Sequence, residues 1–237
     1  MKDFLGIEME QKTESDHIAE AREKLLDAVL PHVAFDGWTS ETLRAAVAES
    51  DVEASLAHLA FPRGGVDMAL AFHYRADQQL ADELNDTDAA ANLASLRIRE
   101  RIAYAVRRRI EIVADEREAV RRGATLLGLP IYAAEGMKAI WNTADVIWNA
   151  CGDTSDDYNW YTKRAILSSV YSATVLFWLG DQSTSFEKTW DFLSRRIENV
   201  MQFEKTKAMV QKNPLFQAAM WGPNQVLSRV KPPSPRV

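Results

Sequence analysis

The sequence predicts an all-α protein of about ten helices. Apolar residues recur three and four positions apart along most of the 237-residue chain, which is typical of helices that bury one face. No stretch alternates apolar and polar residues as a half-buried strand does, and there is no Gly-rich phosphate loop. A composition of 47% hydrophobic and 26% charged residues is that of a globular chain.

The first four helices are predicted from caps and spacing. Residues 15–34 carry apolar positions three and four apart. Thr39 or Ser40 caps a second, short helix, and Ser50-Asp51 caps a third. A longer fourth helix runs over about 67–84, where the same spacing continues.

The remaining helices are predicted in the same way. Their expected ranges are 91–114, 116–128, 131–150, 157–179 and 185–210, and Pro214 opens a last short one. The terminal "PPSPRV" is predicted to be disordered.

The N-terminal part contains a candidate helix-turn-helix. The segment "TLRAAVAESDVEASLAHLAFPRGGVDMALAFH", residues 42–73, resembles the N-terminal domain of TetR-type regulators in the order of its helices, turn and aromatic-proline end. This resemblance implies a TetR-regulator-like fold, in which a helix-turn-helix-like three-helix unit precedes a helical ligand-binding bundle.

The charge of this segment opposes DNA binding. Residues 39–62 hold one basic residue, Arg44, against four carboxylates, a balance of −3. Such a surface repels the phosphate backbone, whose neutralisation dominates the affinity of DNA-binding proteins. We therefore expect no nucleic-acid partner, and a ligand-responsive TetR-type transcriptional regulator is the alternative function.

Residues suited to catalysis are sparse. The four histidines fall in separate segments, and one E-x-x-H spacing, Glu14 with His17, is too little for a di-iron bundle. Cys151 is the one cysteine and is interpreted as a structural thiol. The arginines at 107–109 are interpreted as a solvated helix face. We expect no catalytic residue, no metal site and no enzyme activity, with a lipid-modifying enzyme as a further alternative.

The segment "GDTSDDYNWYTKRA", residues 152–165, places aromatic side chains beside charges at the start of a helix. Asp153, Asp156 or Asp157 is expected to cap that helix. Trp160 precedes Lys163 and Arg164 by three and four residues and so shares their face. The aromatic residues are either ordinary core or an exposed patch for a partner, since Trp, Tyr and Arg dominate interface hot spots.

A second resemblance covers most of residues 15–205. The run "WNACGDTSDDYNWYTKRAILSSVYSATVLFWLGDQSTSFEKTWDFLSRRIENVM", with "VAFDGWTSETL" and "FPRGGVDMALAFH", resembles the ubiquinone-biosynthesis family whose mitochondrial member is coenzyme Q protein nine. The resemblance implies a homodimeric, lipid-binding accessory protein with a TetR-like fold. Such a protein takes a polyprenyl quinone intermediate from the membrane and presents it to a partner, the di-iron demethoxyubiquinone hydroxylase.

The same resemblance implies two sites. The partner-binding patch is expected at Ile147, Asp157, Trp160, Tyr161 and Arg164. The lipid site is expected among the long C-terminal helices, with large apolar residues as candidates: Trp141, Trp148, Tyr171, Phe177, Trp178 and Trp190. The alternative is that these six fill the core. No cofactor is expected beyond a bound isoprenoid or phospholipid.

The C-terminal tail differs from the body in charge. After Glu204 the chain has six basic residues and no acidic one, a charge of +6. Because the net charge of the whole chain is −6, the part up to Glu204 carries −12. Its apolar residues Leu215, Phe216, Met220 and Trp221 are flanked by cations, a pattern typical of an interfacial membrane helix. The alternative is a tail packed on its own body.

These observations predict an organisation and a location. We expect four parts in chain order: a flexible N-terminus at 1–14, a helix-turn-helix-like domain at 15–75, a lipid-binding and dimerisation domain at 76–210, and a membrane-associating tail at 211–237. The longest uncharged stretch, 165–180, is short of the roughly 20 residues of a spanning helix. The N-terminus lacks an apolar signal core, so a cytoplasmic protein is expected, peripheral on the cytoplasmic face of the inner membrane.

Overall fold

The computed structural model describes residues 2–211 and Lys231, with side chains over residues 15–202 and at Lys231. Within this part the chain forms ten α-helices and no β-strand, which confirms the predicted all-α class. The helices are α1 (Lys2–Asp36), α2 (Ser40–Glu49), α3 (Ala54–Ala60), α4 (Gly65–Asn85), α5 (Thr87–Ser95), α6 (Ile98–Glu111), α7 (Arg117–Leu127), α8 (Ala133–Ala150), α9 (Tyr158–Gly180) and α10 (Glu187–Gln211).

The chain divides into two compact units. The first comprises Met1–Ala76 and Val113–Ala139, and the second comprises Asp77–Ile112 and Ile140–Val237. In the first unit α1 packs against α2, α3 and α7. The Trp38 indole Nε1 donates to the carbonyl oxygen of Ala119 on α7 at 3.0 Å, which joins the turn after α1 to that helix.

The caps of the first helices agree with the prediction in part. Thr39 caps α2, because its hydroxyl accepts from the Thr42 amide at 3.2 Å. The prediction that Ser50-Asp51 caps the third helix is wrong, since Ser50 is the C-cap of α2 and the N-cap position of the third helix is Glu53. The third helix begins at Ala54, after Glu53, whose side chain makes no capping hydrogen bond. α1 begins at Lys2 rather than near Ser15.

The single helix predicted over 91–114 is two helices. α5 is capped by Asp86, whose carboxylate accepts from the amides of Asp88 and Ala89. α6 begins after Arg97, whose amide donates to the Glu100 carboxylate at 3.0 Å. The apolar spacing continues through this break, and periodicity alone therefore joins the two helices.

A buried ion pair lies inside the second unit. Arg109 on α6 donates from Nε to Asp77 at 2.7 Å, and both side chains are 2% exposed. The Asp77 carboxylate also accepts from Asn142 and Thr143 on α8, each at 2.8 Å. The interpretation of the arginines at 107–109 as a solvated face is therefore wrong for Arg109, because successive residues on a helix point in different directions.

The predicted helix opening at Pro214 lies outside the described residues, as do Leu215, Phe216, Met220 and Trp221. Over the helices that the structure describes, none is long and apolar enough to cross a membrane.

Candidate functional site

Three aromatic side chains form one group on the second unit, which we call the aromatic cluster: Trp141 on α8, with Trp160 and Tyr161 on α9. The rings of Trp160 and Tyr161 meet edge to face with their centroids 4.8 Å apart. Trp141 lies 6.0 Å from Trp160 and 6.4 Å from Tyr161, tilted against both. All three side chains are half-buried, so the cluster reaches solvent without being detached from the fold.

A network of charged side chains packs against the buried side of the aromatic cluster. We call it the charged network: Asp145 on α8, Asp153 in the turn before α9, and Lys163 and Arg164 on α9. The Arg164 guanidinium donates to Asp145 at 2.5 Å and to Asp153 at 2.9 Å, and lies 3.9 Å from the centroid of the Trp160 ring. The Arg164 and Asp153 side chains are each 1% exposed, so this ion pair is buried, whereas the Asp145 side chain is 35% exposed.

Asp153 is shared by both cations. Its carboxylate accepts from Lys163 Nζ at 2.7 Å as well as from Arg164. Burial by itself raises the pKa of Asp153, but hydrogen bonds from Lys163, Ser155 and Arg164 lower that pKa to about 2. Asp153 is therefore ionised at neutral pH and links the two basic residues.

The cap of α9 is Asp157, one of the three candidates. Its carboxylate accepts from the Asn159 amide at 2.9 Å. Asp153 has the different role just described.

The five residues predicted for the partner patch do not share one surface. Trp160, Tyr161 and Asp157 are partly exposed. Ile147 is 0% exposed and Arg164 is 1% exposed, because α8 and α9 pack on the sides that carry them. Ile147 and Arg164 therefore lie beneath the cluster in this structure and cannot contact a partner directly without rearrangement.

An apolar cavity of about 200 Å³ lies between α6, α8, α9 and α10. Its walls are mostly aliphatic, with a few polar groups among them. The lining residues are Ile98, Arg99, Ile102, Trp148, Asn159, Thr162, Lys163, Ile166, Leu167, Val170, Ile197, Val200 and Met201. On α9 these residues are spaced three and four apart, so this helix turns one face to the cavity while the neighbouring face carries Trp160 and Tyr161.

One of the six predicted lipid residues lines this cavity, namely Trp148, whose indole Nε1 donates to the carbonyl oxygen of Lys163 at 3.1 Å. The other five lie elsewhere. Trp141 belongs to the aromatic cluster, while Tyr171 and Trp178 are buried in the core at 5% and 0% exposure. Phe177 stacks on Phe192, and Trp190 lies under Arg107.

Sequence reasoning missed the aliphatic walls of the cavity. The selection of lipid residues favoured large aromatic side chains, whereas the lining comes mainly from isoleucine, leucine and valine on α6, α9 and α10. The signal was present on α9, where Ile166, Leu167 and Val170 have helical spacing.

Groups that could carry other chemistry are placed as follows. Cys151 is buried, and burial raises the pKa of its thiol to about 11. Among the side chains that the structure describes, no group of three or more His, Cys, Asp or Glu residues is arranged to hold a metal ion.

The helix-turn-helix-like segment presents little positive charge. Arg44, the basic residue of 39–62, is paired with Glu41 at 2.8 Å. On α3 the exposed side chains include Ser55, His58 and Leu59. This surface lacks the free cations that neutralise phosphates.

The helices of this site match a known protein family. The family model described as COQ9 matches residues 133–204, which include α8, α9 and most of α10. The chain is 30% identical to the ubiquinone biosynthesis protein COQ9, mitochondrial, of Homo sapiens over 209 residues, 87% of this chain and 65% of that protein. The chain is similar to the COQ9 proteins over most of its own length.

The COQ9 of Drosophila melanogaster is also 30% identical, over 77% of this chain and 56% of that protein. The chain thus spans about three fifths of the length of these curated relatives. The resemblance predicted from the sequence is confirmed.

The fold is that of a TetR regulator. A TetR transcriptional regulator from Nitrosomonas europaea superposes with a TM-score of 0.59, covering 75% of this chain and 95% of that one at 19% identity. The predicted TetR-like fold is therefore confirmed, while an identity this low carries no information on function.

The predicted cytoplasmic location is wrong. The COQ9 relatives from fly, human and rat are all named mitochondrial. The prediction depended on the first residues of a chain that spans only part of those relatives. A single cysteine indicates a reducing compartment without saying which one.

Proposed function

We propose that this chain is a mitochondrial accessory protein of ubiquinone biosynthesis. It binds a polyprenyl quinone intermediate from the membrane and presents the ring of that molecule to a di-iron hydroxylase. The observation that carries the proposal is the COQ9 match over 133–204, together with relatives named as ubiquinone biosynthesis proteins. Those names describe no reaction, and we propose a binding role rather than catalysis.

The apolar cavity supports the lipid-binding part. An apolar cavity of about 150 Å³ is known to hold benzene, so about 200 Å³ accommodates a ring or a part of a prenyl chain. Asn159, Thr162 and Lys163 supply polar groups at one wall, suited to the oxygens of a quinone-like ring. A long polyprenyl chain exceeds this volume, so we propose that only one end of the molecule enters.

The physical reason for a carrier is the cost of exposing the lipid. A polyprenyl tail has a large apolar surface, and moving it from a bilayer through water is unfavourable in proportion to that surface. A protein that covers part of the molecule lowers this cost and requires no catalytic residue.

The aromatic cluster supports the partner-binding part. Trp160 and Tyr161 are partly exposed, and the Trp160 ring lies against Arg164 of the charged network. This arrangement resembles that of interface hot spots. We propose that these two residues contact the hydroxylase directly. Ile147 and Arg164 then support the patch from inside, and Asp157 holds the start of α9.

We also propose a homodimer that uses α9 and α10. Leu176 is 66% exposed and Phe177 is 37% exposed, and the Phe177 ring stacks on Phe192 of α10 at 4.5 Å. Exposed apolar groups on adjoining helices are typical of an interface. We expect Leu176→Asp to convert the dimer to a monomer in sedimentation velocity, while Ile131→Asp, at a 77% exposed isoleucine, leaves it intact.

Membrane association is proposed from the sequence of the tail alone. Leu215, Phe216, Met220 and Trp221 would insert into the interface beside basic residues. Co-sedimentation with anionic vesicles that is lost on Phe216→Glu and Trp221→Glu would support this role.

Mass spectrometry of an organic extract tests the lipid role. The protein is purified from a quinone-producing host, and a polyprenylated ring compound is expected in stoichiometric amount. Ile166→Trp fills the cavity and should empty the protein of this lipid, whereas Ile131→Trp makes the same change at an exposed site and should not. An equal lipid content in the two variants would contradict the assignment of the cavity.

A binding assay with purified hydroxylase tests the partner role. Trp160→Lys or Tyr161→Lys is expected to weaken binding about 30-fold, the equivalent of a hot-spot loss of about 2 kcal/mol. Ser169→Lys, at an exposed position of the same helix, is the matched control. If the Trp160 and Tyr161 variants bind as tightly as this control, the docking surface lies elsewhere.

A further inference from the structure

The polar side chains that α9 contributes to the apolar cavity lie together at one end of it. In chain order the α9 lining changes from polar to aliphatic: Asn159, Thr162, Lys163, Ile166, Leu167 and Val170. A helix rises about 1.5 Å per residue, so each part covers about 6 Å of the wall. The lining from α10 is apolar throughout: Ile197, Val200 and Met201. The cavity therefore suits a molecule with one polar end and an aliphatic remainder.

Most hydrogen-bond donors at this polar end are already used within the protein. The Thr162 hydroxyl donates to the carbonyl oxygen of Asn159 at 3.2 Å. The side-chain amide of Asn159 donates from Nδ2 to Asp157 at 2.8 Å, and the Trp148 indole donates to the carbonyl oxygen of Lys163 at 3.1 Å. A hydroxyl that donates still accepts through its lone pairs, and the side-chain oxygen of asparagine only accepts. Acceptor oxygens of Thr162 and Asn159 therefore remain for a ligand.

Lys163 places one donor beside these acceptors. Its Nζ atom donates to Asp153 at 2.7 Å and to Ser155 at 2.6 Å. An ammonium group has three protons, so one remains for the oxygen of a ligand. Nζ also lies 5.2 Å from the centroid of the Trp148 ring, which lines the cavity. The polar end thus offers two acceptors and a charged donor.

A ring hydroxyl satisfies both kinds of group at once. Its O–H donates to an acceptor such as Thr162 Oγ1, while its oxygen accepts from Lys163. A quinone carbonyl only accepts, so a quinone would displace water from the acceptor oxygens without replacing the lost hydrogen bonds. Leaving a buried acceptor unpaired is unfavourable, and a site built to bind a hydroxyl rejects an analogue that lacks it.

We propose that the cavity recognises its ligand in the reduced, hydroxyl-bearing form, as a prenylated hydroquinone or phenol. A ring hydroxyl lies between Thr162 and Lys163, and the prenyl chain lies along the aliphatic residues of α9 and α10. This inference rests on the proposed lipid-binding function and specifies the ligand of that same cavity. Its consequence is that the protein discriminates between two redox states of one ring.

Three forms of one probe test this discrimination: 2-geranylhydroquinone, its dimethyl ether and 2-geranylbenzoquinone. Isothermal titration calorimetry of the delipidated full-length protein, without oxygen, measures the affinity for each. We expect the hydroquinone to bind about tenfold more tightly than the other two, which have the oxygens but no O–H donor. Burial raises the pKa of the Cys151 thiol to about 11, so at neutral pH this thiol is not the thiolate that adds to a quinone.

Three variants identify the group that reads the hydroxyl. Thr162→Val removes the acceptor and keeps the shape of the side chain, so the preference for the hydroquinone should fall below about threefold while the affinity for the ether stays within about twofold. Thr162→Ser keeps a hydroxyl and should keep the preference. The matched control is Thr125→Val, at an exposed threonine of α7 whose hydroxyl also donates to a helical carbonyl oxygen, that of Arg121 at 3.0 Å. It should leave all three affinities unchanged.

The results separate this proposal from the proposed function. Equal affinities for the three probes, all abolished by Ile166→Trp, would overturn the recognition of the hydroxyl and leave the cavity as the site of a prenylated ring. A preference for the hydroquinone that is unchanged in Thr162→Val would likewise overturn the role of Thr162. If none of the probes binds, or if Ile166→Trp binds them as the wild type does, both this proposal and the assignment of the cavity are wrong.

Discussion

Arg164 lies directly beneath Trp160, with its guanidinium carbon 3.9 Å from the centroid of the indole ring. The guanidinium is held by Asp145 and Asp153, and it also donates to the carbonyl oxygen of Trp160 at 3.2 Å. A partly exposed aromatic ring is thus positioned by a buried cation whose own hydrogen bonds are fixed. The surface of the cluster therefore depends on residues that solvent does not reach.

Arg164→Lys is expected to destabilise the protein despite keeping the charge. An ammonium group cannot reproduce the planar set of donors that contacts Asp145, Asp153 and Asn149 together. We expect a loss of about 3 kcal/mol in the free energy of unfolding, as for a broken buried ion pair. Urea denaturation measures this loss.

The matched control is Arg44→Lys. Arg44 is exposed and paired with Glu41, and exposed pairs contribute about 0–1 kcal/mol. Similar losses in the two variants would show that Arg164 is not the organising residue of the network.

The lowered pKa of Asp153 predicts that the free energy of unfolding depends on pH. Its pKa of about 2 in the folded chain lies below the value of about 3.9 for an unperturbed aspartate. The folded state therefore favours the ionised form, and the stabilisation is fully present above about pH 4 and is lost as the pH falls from about 4 to about 2. In urea titrations at several pH values, the stability difference between the wild type and Asp153→Asn should shrink over this interval. A difference that stays constant down to pH 2 would contradict this role of Asp153.

The fold was more predictable from the sequence than the site. Helical spacing and caps such as Thr39 and Asp157 are local signals, and they located most helices. The burial of Arg164 depends on Asp145 and Asp153, which precede it by 19 and 11 residues, and side-chain pairing over such distances has no periodic signature. The hydrogen bond from the Tyr161 hydroxyl to the carbonyl oxygen of Lys231, across 70 residues, is still less local.

The buried pair of Asp77 and Arg109 could have been predicted in part from the sequence. Asp77 lies three residues before Leu80 and seven before Leu84, so it occupies the buried face of α4. A carboxylate on a buried face requires a cationic or hydrogen-bonding partner. One of the three consecutive arginines on α6 supplies it, although the sequence does not indicate which one.

Asp77→Ala is therefore expected to be strongly destabilising. The substitution removes the carboxylate that pairs with Arg109 and accepts from Asn142 and Thr143. Removing one partner of a buried pair costs about 3–5 kcal/mol. Asp82→Ala, at an exposed position of the same helix, should change the free energy of unfolding by no more than about 0.5 kcal/mol. Equal urea midpoints for the two variants would rule out a structural role for the buried pair.

Gly65 and Gly180 give a paired prediction on backbone packing. A Cβ at Gly65 would lie 1.9 Å from the carbonyl oxygen of Trp38, so Gly65→Ala forces the backbone apart where α4 begins. We expect a loss of about 2 kcal/mol or more, because overpacking that shifts the backbone typically costs 1–3 kcal/mol. At Gly180, the last residue of α9, no atom beyond the adjacent residues and the backbone of the same helix lies within 4 Å of the added Cβ. Gly180→Ala should therefore be neutral or slightly stabilising, since alanine is the better helix former. Thermal unfolding measures the stability of both variants. A Gly65→Ala protein as stable as the wild type would mean that Trp38 and α4 are not packed this closely in solution.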